Sequence, residues 1–129
     1  MHEIAISETI LKVIAAEAKK RDMKKLRSAK LKIGRMKAFQ KDNLVICLKG
    51  YGNNSALSGM DFEIIETPVK LECDSCHKKF GDPRFDELHF AHSISHAPEF
   101  YVPPACPDCG SSRSKVVEGN EMELVSISD

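Results

Sequence analysis

The chain of 129 residues has no tryptophan, only two tyrosines and no net charge, with 19 Lys and Arg against 19 Asp and Glu. Without a global basic field, and with few aromatic side chains around the cysteine pairs on which bases could stack, nucleic acid is not an expected partner. No apolar run approaches the roughly 20 residues that cross a bilayer, so no membrane span is expected. No basic segment leading into an apolar one marks a signal peptide at the start. The expected compartment is therefore the cytoplasm. No glycine-rich phosphate loop and no nucleophile paired with a base can be found, so the chain is not expected to be an enzyme. What is present is 42% hydrophobic residues, enough for one ordinary domain with a modest core, or for a domain carrying a small appendage.

Five cysteines in a cytoplasmic chain point to metal ligands and a spare rather than disulfides. Cys73-Asp-Ser-Cys76 and Cys106-Pro-Asp-Cys109-Gly110 are two Cys-x-x-Cys pairs. Each makes a tight turn that aims two thiolates at one point. Two such turns supply four sulfurs in a tetrahedron, the pattern of structural Zn(II), with no coordination position left open for hydrolysis. Iron in place of zinc would make a rubredoxin-like carrier. Cys73 to His77 also spells the c-type haem attachment motif, but that reading needs export and leaves Cys106 and Cys109 unused. A dithiol redox motif has no reason to occur twice. Cys47 stands alone among apolar residues and reads as a buried thiol.

A second metal pattern lies at Met1-His2-Glu3. Initiator Met is usually trimmed only before a small residue, so Met1 is expected to stay before His2. Its α-amine, the backbone nitrogen between Met1 and His2, and Nδ1 of His2 can close two chelate rings around one ion. Three nearly coplanar nitrogens suit Ni(II) or Cu(II) better than tetrahedral zinc, and Glu3 adds a carboxylate. Termini commonly fray and a His at position 2 is common by chance, so the rest of the chain must support this reading. Residues 77–105, between the cysteine pairs, hold His77, His89, His92 and His96. A loop nitrogen could complete the square, with His96 and His92 as candidates.

Hydrophobic spacing predicts an amphipathic helix over 4–21 on Ile6, Ile10, Val13, Ile14 and Ala18. Alternation predicts a strand over 29–33, lysines outward. The basic run from Lys24 to Lys37 around it reads as a solvated face. Asp42 or Asn43 is expected to cap a second helix that buries Leu44, Val45, Cys47, Leu48 and Tyr51. Gly50 to Gly59 reads as a turn-rich connection. A strand with Phe62 and Ile64 follows, interrupted by Pro68. Residues 115–127 read as one strand bent or bulged at Gly119-Asn120. The expected fold class is α+β: a three-stranded mixed or antiparallel sheet with two helices on one face, plus an inserted zinc-ribbon-like lobe. The predicted boundaries are 1–72 with 111–129 for the α/β domain and 73–110 for the insert.

The Met1-His2-Glu3 start running into a helix, the Leu31-Lys32-Ile33-Gly34 strand, the two cysteine pairs and the ending Val117-Glu118-Gly119-Asn120-Glu121-Met122-Glu123-Leu124 resemble the hydrogenase nickel-incorporation family HypA. The resemblance runs in the same order over nearly the whole chain. It implies a metallochaperone that takes Ni(II) at its N-terminus and delivers it, with a HypB-type GTPase, to the large subunit of [NiFe]-hydrogenase. Some members also serve urease maturation. It implies a nickel-binding α/β domain with an inserted zinc domain, as a monomer or homodimer. By matching positions, nickel falls on Met1, His2 and Glu3, with His96 joining as in long-insert, archaeal-type members, and zinc falls on Cys73, Cys76, Cys106 and Cys109. The sequence departs from the family in two places. Gly34-Arg35-Met36 stands where many members have Gly-Glu-Leu or Gly-Glu-Arg. Gln40, with Asp42 two places on, stands where an acidic residue is often found. A zinc-ribbon adaptor for nucleic acid or a protein is the alternative reading.

Overall fold

The computed structural model describes residues 2–51 and 57–129, His2 through its backbone alone. The expected turn at Gly52-Asn53-Asn54-Ser55 lies outside the described residues. Two compact units emerge. The first comprises Met1–Lys32, Phe39–Ile65 and Met122–Asp129; the second comprises Ile33–Ala38 and Glu66–Glu121.

In the first unit, helix α1 (His2–Lys20) buries Ile10, Ile14 and Ala18 at four-residue spacing, the stripe that an amphipathic helix turns to a core. It starts two residues earlier than its periodicity suggests, so Glu3 sits in the first turn. Val13, expected in the stripe, is largely exposed, while Ser7 is buried. Strand β1 (Ser28–Gly34) alternates as predicted, with Ala29, Leu31 and Ile33 inside. Helix α2 (Lys41–Tyr51) buries Leu44 and Leu48. Cys47, at the edge of the Leu44–Leu48 stripe, is only half-buried, and Tyr51, which continues the stripe but is the last residue of α2, is exposed. The expected caps Asp42 and Asn43 are already inside α2. The side chain of Gln40 takes that role, its Oε1 accepting from the Asn43 N–H at 2.7 Å.

Strands β2 (Asp61–Thr67) and β6 (Met122–Ser128) flank β1 in the order β2-β1-β6. Asp61 N–H donates to Arg27 C=O at the start of both β1 and β2, and Lys30 pairs with Glu63 further along, so these strands run parallel. The Arg27 N–H donates instead to Ser128 C=O at the far end of β6, so β6 runs antiparallel to β1. The sheet is mixed, and α2 lies in the connection that a parallel pair requires. Helix α1 packs on α2 and on β6.

The second unit is built on strand β3 (Lys70–Cys73), with β4 (Lys79–Gly81) and β5 (Ser114–Glu118) antiparallel on either side. Residues 115–127 are thus two strands in two different sheets. Gly119, expected at a bend within one strand, instead makes the hand-over, at φ 100°, a conformation that side-chain-bearing residues rarely adopt. The segment 77–105 contains more than a loop: helix α3 (Leu88–His96) lies within it, between two short 3₁₀ turns. Ala91 and Ile94 of α3 pack with Phe85, Val69 and Ala38, flanked by Met36, Phe90 and Tyr101. The sequence places the insert at 73–110; the compact unit holding the cysteines also takes in 66–72, 111–121 and 33–38. Arg35 ion-pairs with Asp86, and Met36 N–H donates to Gly119 C=O at 2.9 Å. Arg35 and Met36, the departures noted above, therefore serve packing inside this unit.

Candidate metal centre

The two cysteine turns are built alike. In the first, Cys73 N–H donates to Lys78 C=O and His77 N–H to Cys73 C=O, both at 2.9 Å. In the second, Cys106 N–H donates to Ser111 C=O at 3.0 Å and Gly110 N–H to Cys106 C=O at 2.9 Å. Each turn closes through a left-handed residue at the same position, His77 at φ 63° and Gly110 at φ 73°. A hydrogen bond between the hydroxyls of Ser75 and Ser111 ties the turns together at 3.2 Å.

This geometry brings all four thiols together. Sγ of Cys73 lies 3.5 Å from Sγ of Cys109, and Sγ of Cys76 lies 3.6 Å from Sγ of Cys106. All four sulfurs fall within 4.8 Å of one another. Zn–S bonds of about 2.3 Å in a tetrahedron give S–S edges near 3.8 Å, so the cluster fits zinc. Cys73 and Cys106 are buried, whereas Cys76 and Cys109 reach the surface.

The thiols do not titrate alike. The backbone N–H of Cys76 leads several hydrogen bonds that pull Cys73 down to about 6, against burial. The N–H of Lys78 pulls Cys76 down too, but burial and the neighbouring thiols of Cys106, Cys109 and Cys73 push it up to about 12. One proton leaves the cluster easily; the next resists, because the first thiolate occupies the shared space. A divalent cation removes that conflict, and its entry expels the remaining protons.

At the N-terminal pattern, Met1 and the side chain of His2 lie outside the described residues. Glu3 is half-buried, and its Oε1 accepts from the backbone N–H of Gln40 at 3.3 Å. Gln40 therefore holds Glu3 through its main chain and caps α2 through its side chain, a double role that the spacing of residues did not reveal. His96 ends α3, and its Nε2 lies 3.0 Å from Nε2 of His92, one turn earlier. Glu3 belongs to the first unit and His96 to the second. His89 and His77 are exposed.

Sequence reasoning missed the carboxylate that organises the second unit. Asp82 is 5% exposed. It accepts from Arg84 N–H at 3.1 Å, from Arg84 Nε at 3.0 Å, from Arg84 Nη2 at 2.8 Å and from Tyr101 Oη at 2.8 Å. Burial pushes its carboxyl up, but the bonds from Arg84 and Tyr101 outweigh that and hold it below the usual carboxylate range. The available signal was Asp82-Pro-Arg84, an Asx-type start to a short helical turn.

A family model described as "Hydrogenase/urease nickel incorporation, metallochaperone, hypA" matches residues 1–128. The hydrogenase maturation factor HypA of Azotobacter vinelandii is 28% identical over 125 residues, covering 96% of this chain and 95% of that one. The HypA of Methanopyrus kandleri is 26% identical over 134 residues, covering 98% and 92%. The solution structure of the Ni metallochaperone HypA from Helicobacter pylori shares the fold, with a TM-score of 0.65 at 23% identity over 99% of this chain and 97% of that one. Matched from its first residue almost to its last, and carrying a four-thiol cluster that fits zinc, the chain belongs to the HypA family of hydrogenase and urease nickel-incorporation metallochaperones.

Proposed function

We propose that this chain carries Ni(II) as cargo, taking it at its N-terminus and delivering it in the cytoplasm to the large subunit of [NiFe]-hydrogenase. A HypB-type GTPase is the partner that drives release, and urease maturation is a second outlet. The chain itself catalyses nothing; it selects, holds and hands over an ion. The observation that carries this reading is the family match over residues 1–128, which includes Met1-His2-Glu3. The α-amine of Met1, the amide nitrogen of His2 and its ring Nδ1 supply three nitrogens in a plane, a donor set suited to nickel. Glu3 and His96 are the further ligands that the family resemblance supports. Zn(II) on Cys73, Cys76, Cys106 and Cys109 is structural and stays in place while nickel passes.

The ligand chemistry sets a pH dependence. His2 binds only as a neutral ring and the amide must lose its proton, so affinity falls as pH drops through the ordinary histidine range, about 6.5. The test is a calorimetric Ni(II) titration of untagged protein with metal analysis. His2→Gln keeps a large second residue, so Met1 is retained. That variant should lose the tightest nickel site and keep one zinc per chain; unchanged nickel affinity would refute the N-terminal assignment.

A further inference from the structure

The serines beside the four thiols do not share one environment. Ser75 is exposed and donates its hydroxyl to that of Ser111, which in turn accepts from the N–H of Arg113. Ser114 differs: its Oγ is buried and has no hydrogen-bond partner among the described residues. Buried hydroxyls nearly always have one, so the exception needs a reason.

The register of the second sheet fixes what faces this hydroxyl. Ser114 opens β5 directly opposite Cys73, the last residue of β3. The N–H of Asp74 donates to Arg113 C=O at 2.9 Å, one step beyond the pair on each strand. Cys73 and Ser114 are therefore a non-hydrogen-bonded pair, the kind whose Cα atoms come closest, about 4.5 Å apart. Opposite residues of an antiparallel pair turn their side chains to one face of the sheet, with Cβ atoms about 4.5–5.5 Å apart. One bond further out, a hydroxyl oxygen and a sulfur come within hydrogen-bond reach.

The sulfur at that place has special need of a donor. Cys73 is 0% exposed, whereas Cys76 and Cys109 reach the surface and its water. Four thiolates around one divalent ion leave negative charge over, and charge on a buried sulfur must be met by donors of the protein. A neutral thiol is only a weak acceptor, so the hydroxyl gains its full partner when the metal is bound.

We propose that Ser114 is a positioning residue of the zinc site, its side chain turning about χ1 so that Oγ donates to the metal-bound sulfur of Cys73. The proposal rests on the assignment of zinc to the four thiols. Ser114 does not touch the ion. Its hydrogen bond draws charge off one sulfur and holds Cys73 in its place in the tetrahedron, and so sets how tightly the ion is kept.

The test uses the full chain as Ser114→Ala and as Ser114→Thr, which keeps a hydroxyl and suits a strand. Zinc affinity is read by competition with a chelator. Ser114→Ala should bind zinc about tenfold more weakly, the loss expected when an outer partner of a ligand is removed. Ser114→Thr should bind it as the parent does. Co(II) in place of zinc gives a readout that packing alone would not move. A donor on a thiolate lowers the energy of the sulfur electrons. Its loss in Ser114→Ala should shift the sulfur-to-cobalt charge-transfer band to longer wavelength, and Ser114→Thr should restore it. An unshifted band in Ser114→Ala would overturn the proposal whatever the affinity, as would a loss that threonine fails to repair in a folded chain. A parent chain without sulfur-to-cobalt charge transfer would instead overturn the zinc reading, and the proposal with it.

Discussion

Replacing Asp82 should weaken the second unit more than any other single polar change there. The side chain is 1% exposed and accepts four hydrogen bonds, three from Arg84 and one from Tyr101. Breaking a buried ion pair by removing one partner costs about 3–5 kcal/mol. Arg84 is 45% exposed and also donates to Val102 C=O at 2.7 Å, so its charge can turn to water. The cost then falls to about 3 kcal/mol for Asp82→Ala, the lower end of the range for a broken buried pair. Asp82→Asn keeps the shape and two acceptor lone pairs but loses the charge, and should cost about 2 kcal/mol. The acid limb gives a second signature. Because the folded carboxyl titrates below its unfolded value, its contribution is complete above the unfolded value of about 3.9 and is lost as pH falls through the lower folded one. The parent should lose that stabilisation below about pH 4, and Asp82→Asn should show no such step. Denaturant unfolding monitored through amide exchange in β3 and β5 reads both effects. An Asp82→Asn chain within about 0.5 kcal/mol of the parent, the ordinary range for surface changes, or one with the same acid limb, would refute the account.

Gly119→Ala should destabilise by about 3 kcal/mol or more, since the residue sits at φ 100° and a Cβ there would overlap the backbone of Val69; thermal unfolding reads the loss, and a tolerated alanine would count against the close approach. Stripping zinc with a chelator should abolish exchange protection over 73–78 and 106–111 and spare the amides of α1, because the second unit relies on the metal where the first has its own core. Proton release on adding zinc back should exceed one per ion, as the cluster gives up one thiol proton easily and holds the next. Gln40→Ala removes the cap of α2 and should cost about 1 kcal/mol. Gln40→Ala should leave nickel affinity intact, since Glu3 is held by the backbone N–H of Gln40 and not by its side chain.

Local repeats made much of this protein legible from its residues. The alternation Ala29, Leu31, Ile33 is a statement about one strand's two faces, and the structure bears it out. The four-residue stripe of α1 and the Cys-x-x-Cys turns are likewise written within a few residues of one another, so the helix and the thiol cluster could be placed without knowing what they pack against. Helix α3 had a signal as well, Phe90, Ala91 and Ile94 at helical spacing, hidden by the polar residues around it.

What the sequence by itself determined, then, is the set of elements whose causes are short-range, together with the zinc-type ligand set and the family. Tertiary structure alone decided which elements share a sheet and which segments share a core. Residues 115–127 keep one alternating pattern while passing from one sheet to another, because alternation records that a strand has an inside and not whose inside it is. Met36 and Ala38 follow β1 in the chain yet pack with α3, and Asp82 finds Tyr101 nineteen positions away. Those pairings depend on complementary shape and on polar groups finding partners across the fold, which no local period encodes.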